Sequence, residues 1–171
     1  MVRFLKNIFR AARLDSSLYE EVEADASALL PAMLVVLIAS VAAGIGNIYE
    51  AGVQGIGWIS LSALLGWFIW SFLTYFIGTK LMPEPQTEAD LGQLLRTIGF
   101  SSSPGIIRIF GLIPGAGTVL SIISSVWMLV AMIIAVRQAL DYSSTLRAIG
   151  VVLIGWTVQL LFVLLVASLI T

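Results

Sequence analysis

Long apolar segments alternate with short polar ones along most of the chain. Four such segments are about 20 residues long and carry at most one charge each: residues 28–48, 58–81, 118–136 and 149–170. At 1.5 Å per residue, a helix of this length crosses a hydrocarbon layer of roughly 30 Å. The pattern therefore predicts four transmembrane helices, and the glycines of residues 51–57 predict a turn between the first two.

Residues 91–117 form a further segment, the third of five in chain order, whose path is ambiguous. This segment contains Arg96, Pro104, Arg108, Pro114 and three consecutive serines, so it could be a full span or a re-entrant loop. Basic residues concentrate in cytoplasmic loops, and a full span would place eight of the nine there, with Arg108 inside the membrane. The sequence therefore predicts an all-α, polytopic bundle of five transmembrane helices, with the N-terminus in the cytoplasm and the C-terminus outside.

Residues 1–27 form an N-terminal cytoplasmic segment, which precedes the membrane domain of residues 28–171. Its first 14 residues combine apolar positions at helical spacing with four basic residues on the other side: Arg3, Lys6, Arg10 and Arg13. This pattern predicts an amphipathic helix on the anionic cytoplasmic leaflet; the alternative is a helix that packs on the protein. Ser17 and Glu20 have the spacing of a capping box, which predicts that a second helix starts at Ser17.

Composition supports a membrane protein and restricts its chemistry. Hydrophobic residues make up 59% of the chain and charged residues 11%, with a mean hydropathy of +1.02, whereas soluble domains are about 45–50% apolar and about 25% charged. The chain contains no cysteine. It also contains no histidine, which is both the commonest metal ligand and the commonest general base near neutral pH. We therefore expect no catalytic site, no metal and no cofactor. No nucleic-acid partner is expected either.

Arg108 and Glu50 are the candidate intramembrane charges. An unpaired arginine within the hydrocarbon costs at least about 2.5–3.5 kcal/mol, and Glu50 is the only acid that the five-span topology does not place in the cytoplasm. The sequence thus leaves two equal alternatives, an Arg108–Glu50 pair or extension of Arg108 to the outer lipid phosphates. Trp67 and Trp70 share a helix face and could line a pocket for a lipid, quinone or pigment, or simply pack inside the bundle.

An ordered set of residues in the second to fifth segments resembles the YIP family, the Ypt/Rab-interacting membrane proteins, in its small prokaryotic form. The second span has a tyrosine ahead of Ile-Gly, the third has Gly-aromatic-Ser followed by proline, and a tryptophan opens the fourth. A short loop with a small polar cluster leads into the fifth. The residues concerned are Tyr75, Ile77, Gly78, Gly99, Phe100, Ser101, Pro104, Trp127, Ser143 and Ser144.

The resemblance covers roughly residues 20–171 and implies a five-span fold with a cytoplasmic N-terminus and no enzyme activity. Eukaryotic members of the family bind small GTPases through a longer cytoplasmic region. Only about 27 residues precede the first predicted span here, so the resemblance does not extend to a GTPase partner.

Three functions remain open at this stage. The first is a multi-pass scaffold of the cell membrane that binds lipids, other membrane proteins or a second copy of itself. The second is an accessory subunit of a larger membrane complex, one that could be energy-converting. The third is a small-solute transporter or channel, for which a single intramembrane cation is little support. Large side chains of the fourth and fifth spans are the predicted outer docking surface: Met128, Met132, Phe162 and Leu165.

Overall fold

The computed structural model describes the backbone of residues 2–170. Within this range it describes all side chains except those of Ala51, Phe162, Val163, Leu165, Val166, Ala167, Leu169 and Ile170. The prediction for the C-terminal Thr171 therefore lies outside the described residues, as does the one for the side chains of Phe162 and Leu165. The predicted all-helical fold is confirmed, since the described backbone contains helices and no strand.

Seven α-helices account for most of the chain: α1 (Val2–Ala12), α2 (Ser16–Ala24), α3 (Leu29–Gly46), α4 (Ile48–Phe76), α5 (Leu91–Ser101), α6 (Gly117–Ala139) and α7 (Thr145–Ile170). Three further helical segments are not α-helical. They are the 3-10 turn Ala26–Ala28, the π-helical end of α4 at Ile77–Leu81, and the 3-10 segment Ser103–Leu112.

Three helical stretches in the described part of the chain are long and apolar enough to cross a membrane. They are Ala26–Gly46, Gly52–Leu81 and Gly117–Ala139. The described apolar part of α7, Thr145–Leu161, is shorter. These stretches match the first, second and fourth predicted spans in position, because each is a continuous apolar run with polar residues or glycine at its ends.

The predicted turn at residues 51–57 is confirmed only in part, as a kink at Gly52. Helix α4 begins at Ile48 and runs through this region, and its backbone departs from helical geometry only at Gly52, which has φ 65° and ψ 177°. Glycine adopts this left-handed conformation without the steric penalty of a side chain. A single glycine therefore bends the helix where the density of glycines had predicted a loop.

The segment of residues 91–117 combines two kinds of helix. Helix α5 ends at Ser101, and Pro104 lies in the first turn of the 3-10 segment that follows, where its missing N–H leaves no bond unmade. The hydroxyls of Ser101 and Ser103 donate to the carbonyls of Ile98 and Phe100, both at 2.7 Å. At 1.5 Å and 2.0 Å per residue, the two segments together extend roughly 35 Å.

This composite segment runs parallel to α3. Ala32 of α3 lies against Gly99, Ala39 lies against Gly105, and Gly46 at the end of α3 lies against Gly111. Residue numbers thus increase in the same direction along both. Gly117 at the start of α6 also lies close to Gly111, so α3, the 3-10 segment and α6 meet at one end of the bundle.

Helix α2 closes the opposite end of the bundle. Leu18, Tyr19 and Val22 are buried and pack with residues of α3, α5 and α6, including the fully buried Phe100. Its N-cap is Asp15, whose carboxylate accepts from the backbone N–H of Ser17, so the predicted start at Ser17 is wrong by one residue. A second core cluster, formed mainly by residues of α5, α6 and α7, lies at this same end.

Candidate functional site

Helix α1 presents three different faces. One apolar face packs on the protein and consists of Phe4, Ile8 and Ala11. A second apolar face is at least half exposed and consists of Val2, Leu5 and Phe9. The basic residues form the third. The packing of the first face matches the alternative in which α1 rests on protein, while the second face leaves an apolar strip uncovered.

Two of the four basic residues among the first 14 residues form ion pairs within the protein. Arg10 donates from Nε to Asp15 at 2.7 Å and from its terminal nitrogens to Glu21 at 2.7 and 2.8 Å. The bonds from Arg10 hold the pKa of Glu21 below its ordinary value. Arg3 pairs with Asp25 at 3.3 Å, in a more exposed position. These pairs attach α1 to α2 and to Asp25, the N-cap of the 3-10 turn that follows α2.

The other two basic residues are free to contact a membrane surface. Lys6 and Arg13 are exposed, and neither has a hydrogen-bond or ion-pair partner among the residues that the structure describes. The end of α1 is fixed by Trp127, whose indole N–H donates to the carbonyl of Ala12 at 2.8 Å. Contact with anionic lipid stays a prediction, for which only Lys6 and Arg13 remain uncommitted.

Arg96 and Glu23 form a polar contact that the sequence did not reveal. Arg96 is 8% exposed and donates to the carbonyls of Val22 and Glu23 at the end of α2, the first at 2.9 Å. Partial burial raises the pKa of Glu23 to about 7, and the nearby charge of Asp141 raises it further, against the opposing effect of Arg96. Cations often bond the last carbonyls of a helix. Here Arg96 lies some 70 residues from the end of α2 in sequence, so the sequence does not show that the two meet.

The loops of residues 82–90 and 140–144, at this end of the bundle, are hydrogen-bonded to each other. The carboxylate of Glu84 accepts from the backbone N–H of Ser143 at 3.0 Å and pairs with Arg147 at 3.0 Å. The bond from Ser143 is the main reason that the pKa of Glu84 lies below its ordinary value. Thr87 donates to the carbonyl of Leu140 at 2.9 Å. Nothing in the sequence predicts this contact beyond the polar pair Ser143–Ser144.

The resemblance residues of the third segment are packing positions. A side chain at Gly99 would meet Cβ of Ala32 at 2.8 Å and its carbonyl oxygen at 3.1 Å. Phe100 and Pro104 are fully buried, and Ser101 uses its hydroxyl for the carbonyl of Ile98. Together they allow α3 and the composite segment to approach closely, and they bring no reactive group into contact with another.

The resemblance residues of the other segments lie apart from these. Gly78 faces Leu140 with no room for a side chain, and its carbonyl accepts from the hydroxyl of Tyr142 at 3.0 Å. Tyr75 packs one turn away against the same cluster. Trp127 lies ten residues into α6 and contacts α1, so the expectation that it opens the fourth span is wrong.

Arg108 does not pair with Glu50, which corrects the pairing considered from the sequence. Its Nε donates to the hydroxyl of Ser124 at 2.6 Å and a terminal nitrogen donates to Ser125 at 2.9 Å. No carboxylate pairs with Arg108 among the residues that the structure describes, and Glu50 is exposed in the first turn of α4. Hydropathy could not reveal this contact, because it depends on the register between the 3-10 segment and α6.

A cavity of about 450 Å³ lies beside Arg108, between α3, α4, α6 and α7. Trp67 and Trp70 both line it, in agreement with the pocket considered from the sequence. Met128 and Met132 line it as well, so the prediction that these methionines form an outer surface is wrong. No group of acidic side chains suited to hold a metal ion occurs in the described part of the chain.

Comparison with known families decides what kind of protein carries this arrangement. The family model of the Yip1 domain matches residues 15–167. The chain belongs to the YIP family. With its apolar helices, it is an integral membrane protein of a family that is not known for enzymatic activity. Helix α1 lies before the Yip1 match. No curated protein and no solved structure matches the chain.

Proposed function

We propose that this YIP-family protein is a non-enzymatic scaffold of the cell membrane, which organises membrane components through lipid contacts and helix–helix contacts. The observation that carries the proposal is a stripe of large apolar side chains along α4. Its members recur every three or four residues and are 47–57% exposed: Leu61, Leu65, Phe68, Phe72 and Phe76. We call them the α4 stripe.

The α4 stripe has the properties of an intramembrane contact surface. It follows one face of α4 from Leu61 to Phe76 that the rest of the chain leaves exposed, whereas Thr74 on the opposite side is buried. Lipid tails are as apolar as these side chains, so association at this surface would depend on close shape fit. Phenylalanine and leucine side chains are large and can pack closely against a partner helix. They carry no group that could take part in catalysis.

A five-span topology with a cytoplasmic N-terminus supports this role. The composite segment of residues 91–112 is long enough to cross the hydrocarbon, and it runs parallel to α3. Helix α2 and the loops of residues 82–90 and 140–144 lie at one end of the bundle, together with Arg96, Arg137 and Arg147. The positive-inside rule favours the cytoplasm for that end.

Lipid contact by α1 fits the same proposal. Its exposed apolar face of Val2, Leu5 and Phe9 adjoins the free cations Lys6 and Arg13. An apolar strip beside basic residues is typical of a helix that lies in the interface of an anionic membrane. Each free cation near such a surface contributes about 1 kcal/mol.

Photo-crosslinking tests the scaffold role. A photoreactive amino acid replaces Phe68 in the α4 stripe, and the matched control replaces Val126, which is 58% exposed on α6. Irradiation in native membranes should give protein adducts at position 68, to a second copy or to several partners in variable amounts. Adducts to one large complex in a fixed ratio would favour the accessory-subunit role instead. Equal lipid adducts and no protein adducts at both positions would contradict both roles.

A further inference from the structure

The cavity beside Arg108 has the composition of a binding site for an amphiphile. Most of its wall is apolar or aromatic, including Trp70, Trp156 and Met132. Its volume of about 450 Å³ falls in the range of small-molecule sites, which combine apolar walls with a few convergent polar groups. The polar groups here are the guanidinium of Arg108 and hydroxyls that include Ser101 and Ser125.

The charge of Arg108 is incompletely satisfied by the protein. A guanidinium has five N–H donors, and the bonds to Ser124 and Ser125 use two of them. Both acceptors are neutral hydroxyls, and no carboxylate pairs with Arg108 in the described part of the chain. These serines lie seven and eight residues into α6, about 10–12 Å from the end where α6 meets Gly46 and Gly111. The cation is therefore held inside the bundle, toward the cavity.

A second unpaired donor lies in the same wall. The indole N–H of Trp70 is buried and has no hydrogen-bond partner among the described residues, whereas that of Trp67 donates to the carbonyl of Leu95 at 3.0 Å. The Trp70 ring lies close to Gly155 of α7, where a side chain would meet it at 3.0 Å. Trp156, next along α7, is 47% exposed. Gln159, which also lines the cavity, is exposed as well, so the cavity is open to the surrounding lipid beside α7.

We propose that this cavity binds an anionic amphiphile, an acyl chain that carries a carboxylate or a phosphate. The anionic head would accept from the free N–H donors of Arg108, whose planar fork suits two oxygens of either group. The acyl chain would lie against Trp70, Trp156 and Met132 and leave the cavity beside the exposed face of α7. A neutral quinone or pigment would leave the guanidinium without a counter-charge. This inference goes beyond the scaffold role and is independent of it.

Native mass spectrometry of the full-length protein in mild detergent tests the proposal. The probes are palmitate, single-chain lysophosphatidate, zwitterionic phosphatidylethanolamine and a neutral quinone. We expect one palmitate or one lysophosphatidate per chain and neither of the other two. Stronger retention of palmitate would indicate that the site prefers a carboxylate head, and stronger retention of lysophosphatidate that it prefers a phosphate head. Equal retention of the neutral quinone would overturn the proposal.

Three variants connect binding to this cavity. Arg108→Gln should lower retention of the anionic probe at least about tenfold, since it removes charged hydrogen bonds. Ala63→Phe should also lower it by filling the cavity while leaving Arg108 in place. Lys80→Gln is the matched loss of one charge, at an exposed cation far from the cavity, and should change nothing. If Arg108→Gln disturbs folding, Ala63→Phe still decides. Retention by Ala63→Phe equal to that of the unmodified chain would refute the site.

Discussion

At Gly99, α5 packs closely on α3, and a single methyl group tests that contact. In Gly99→Ala, the new Cβ would meet Ala32 at 2.8 Å and its backbone oxygen at 3.1 Å, so one helix must move. Such overpacking costs about 1–3 kcal/mol. We expect a lower unfolding temperature in detergent. Gly57→Ala in α4, with nothing within 4 Å of the new Cβ, is the matched control and should not be destabilised. Equal unfolding temperatures for the two variants would refute the close contact.

Glu23 should make stability depend on pH near neutrality. Its pKa is raised to about 7 in the folded protein by partial burial, from an ordinary value of 4.5. Between these values the folded chain binds a proton that the unfolded chain does not, so the free energy of unfolding falls as pH rises through this window. Glu23→Gln cannot lose that proton. Its unfolding temperature should therefore decline less than that of the unmodified chain between pH 5 and pH 8.

The control for this experiment is Glu88→Gln, which changes an exposed glutamate without a partner in the described structure. It should keep the full pH dependence of the unmodified chain. The chain has no histidine, so no imidazole titrates in the same window. Parallel curves for Glu23→Gln and the unmodified chain would show that Glu23 titrates normally.

At the scale of single elements, α1 has an orientation that spin labels can measure. The chain has no native cysteine, so single cysteines at Phe9, Lys6 and Ile8 can each be labelled. In a bilayer, we expect high accessibility to oxygen at Phe9, because oxygen concentrates in lipid. Accessibility to a water-soluble nickel complex should be high at Lys6. The label at Ile8, on the protein-packed face, should be poorly accessible to both reagents. A label at Phe9 as accessible to nickel as that at Lys6 would contradict the interfacial placement.

The apolar pattern was sufficient to place the long helices and insufficient for the third segment. Helix α6, predicted at residues 118–136, spans Gly117–Ala139, because a continuous apolar run ends at charged or polar positions. The 3-10 segment of residues 103–112 has no comparable signal. Pro104 marks the end of α5, but the path that follows depends on contact between Gly46 and Gly111, which is set by tertiary packing.

The candidate site was less predictable than the fold for a related reason. The sequence identified Arg108 as an intramembrane cation and Trp67 and Trp70 as possible pocket residues. The partner considered for Arg108 was wrong. Glu50 was considered because it is the only acid that the five-span topology does not place in the cytoplasm. The hydroxyls of Ser124 and Ser125 are found only when the register of two packed segments is known.

At the scale of the whole molecule, the topology depends on whether residues 91–112 cross the membrane. If they do, α6 starts outside and the loop at residues 82–90 lies inside. If they form a re-entrant loop, both lie on the cytoplasmic side, and the basic residues at the end of α6 move outside. The parallel course of α3 and this segment favours the crossing, since it extends roughly 21 Å, from Ala32 beside Gly99 to Gly46 beside Gly111.

Cysteine labelling in intact cells separates the two topologies. Thr118 in the first turn of α6 and Glu88 in the inner loop are both exposed, and neither has a partner within the described residues. We expect an impermeant maleimide to label Thr118→Cys in intact cells and Glu88→Cys only after lysis, because a crossing places them on opposite sides. Labelling of both after denaturation controls for reactivity. Protection of Thr118→Cys until lysis would show that the segment returns to the cytoplasmic side, and the five-span topology would then be wrong.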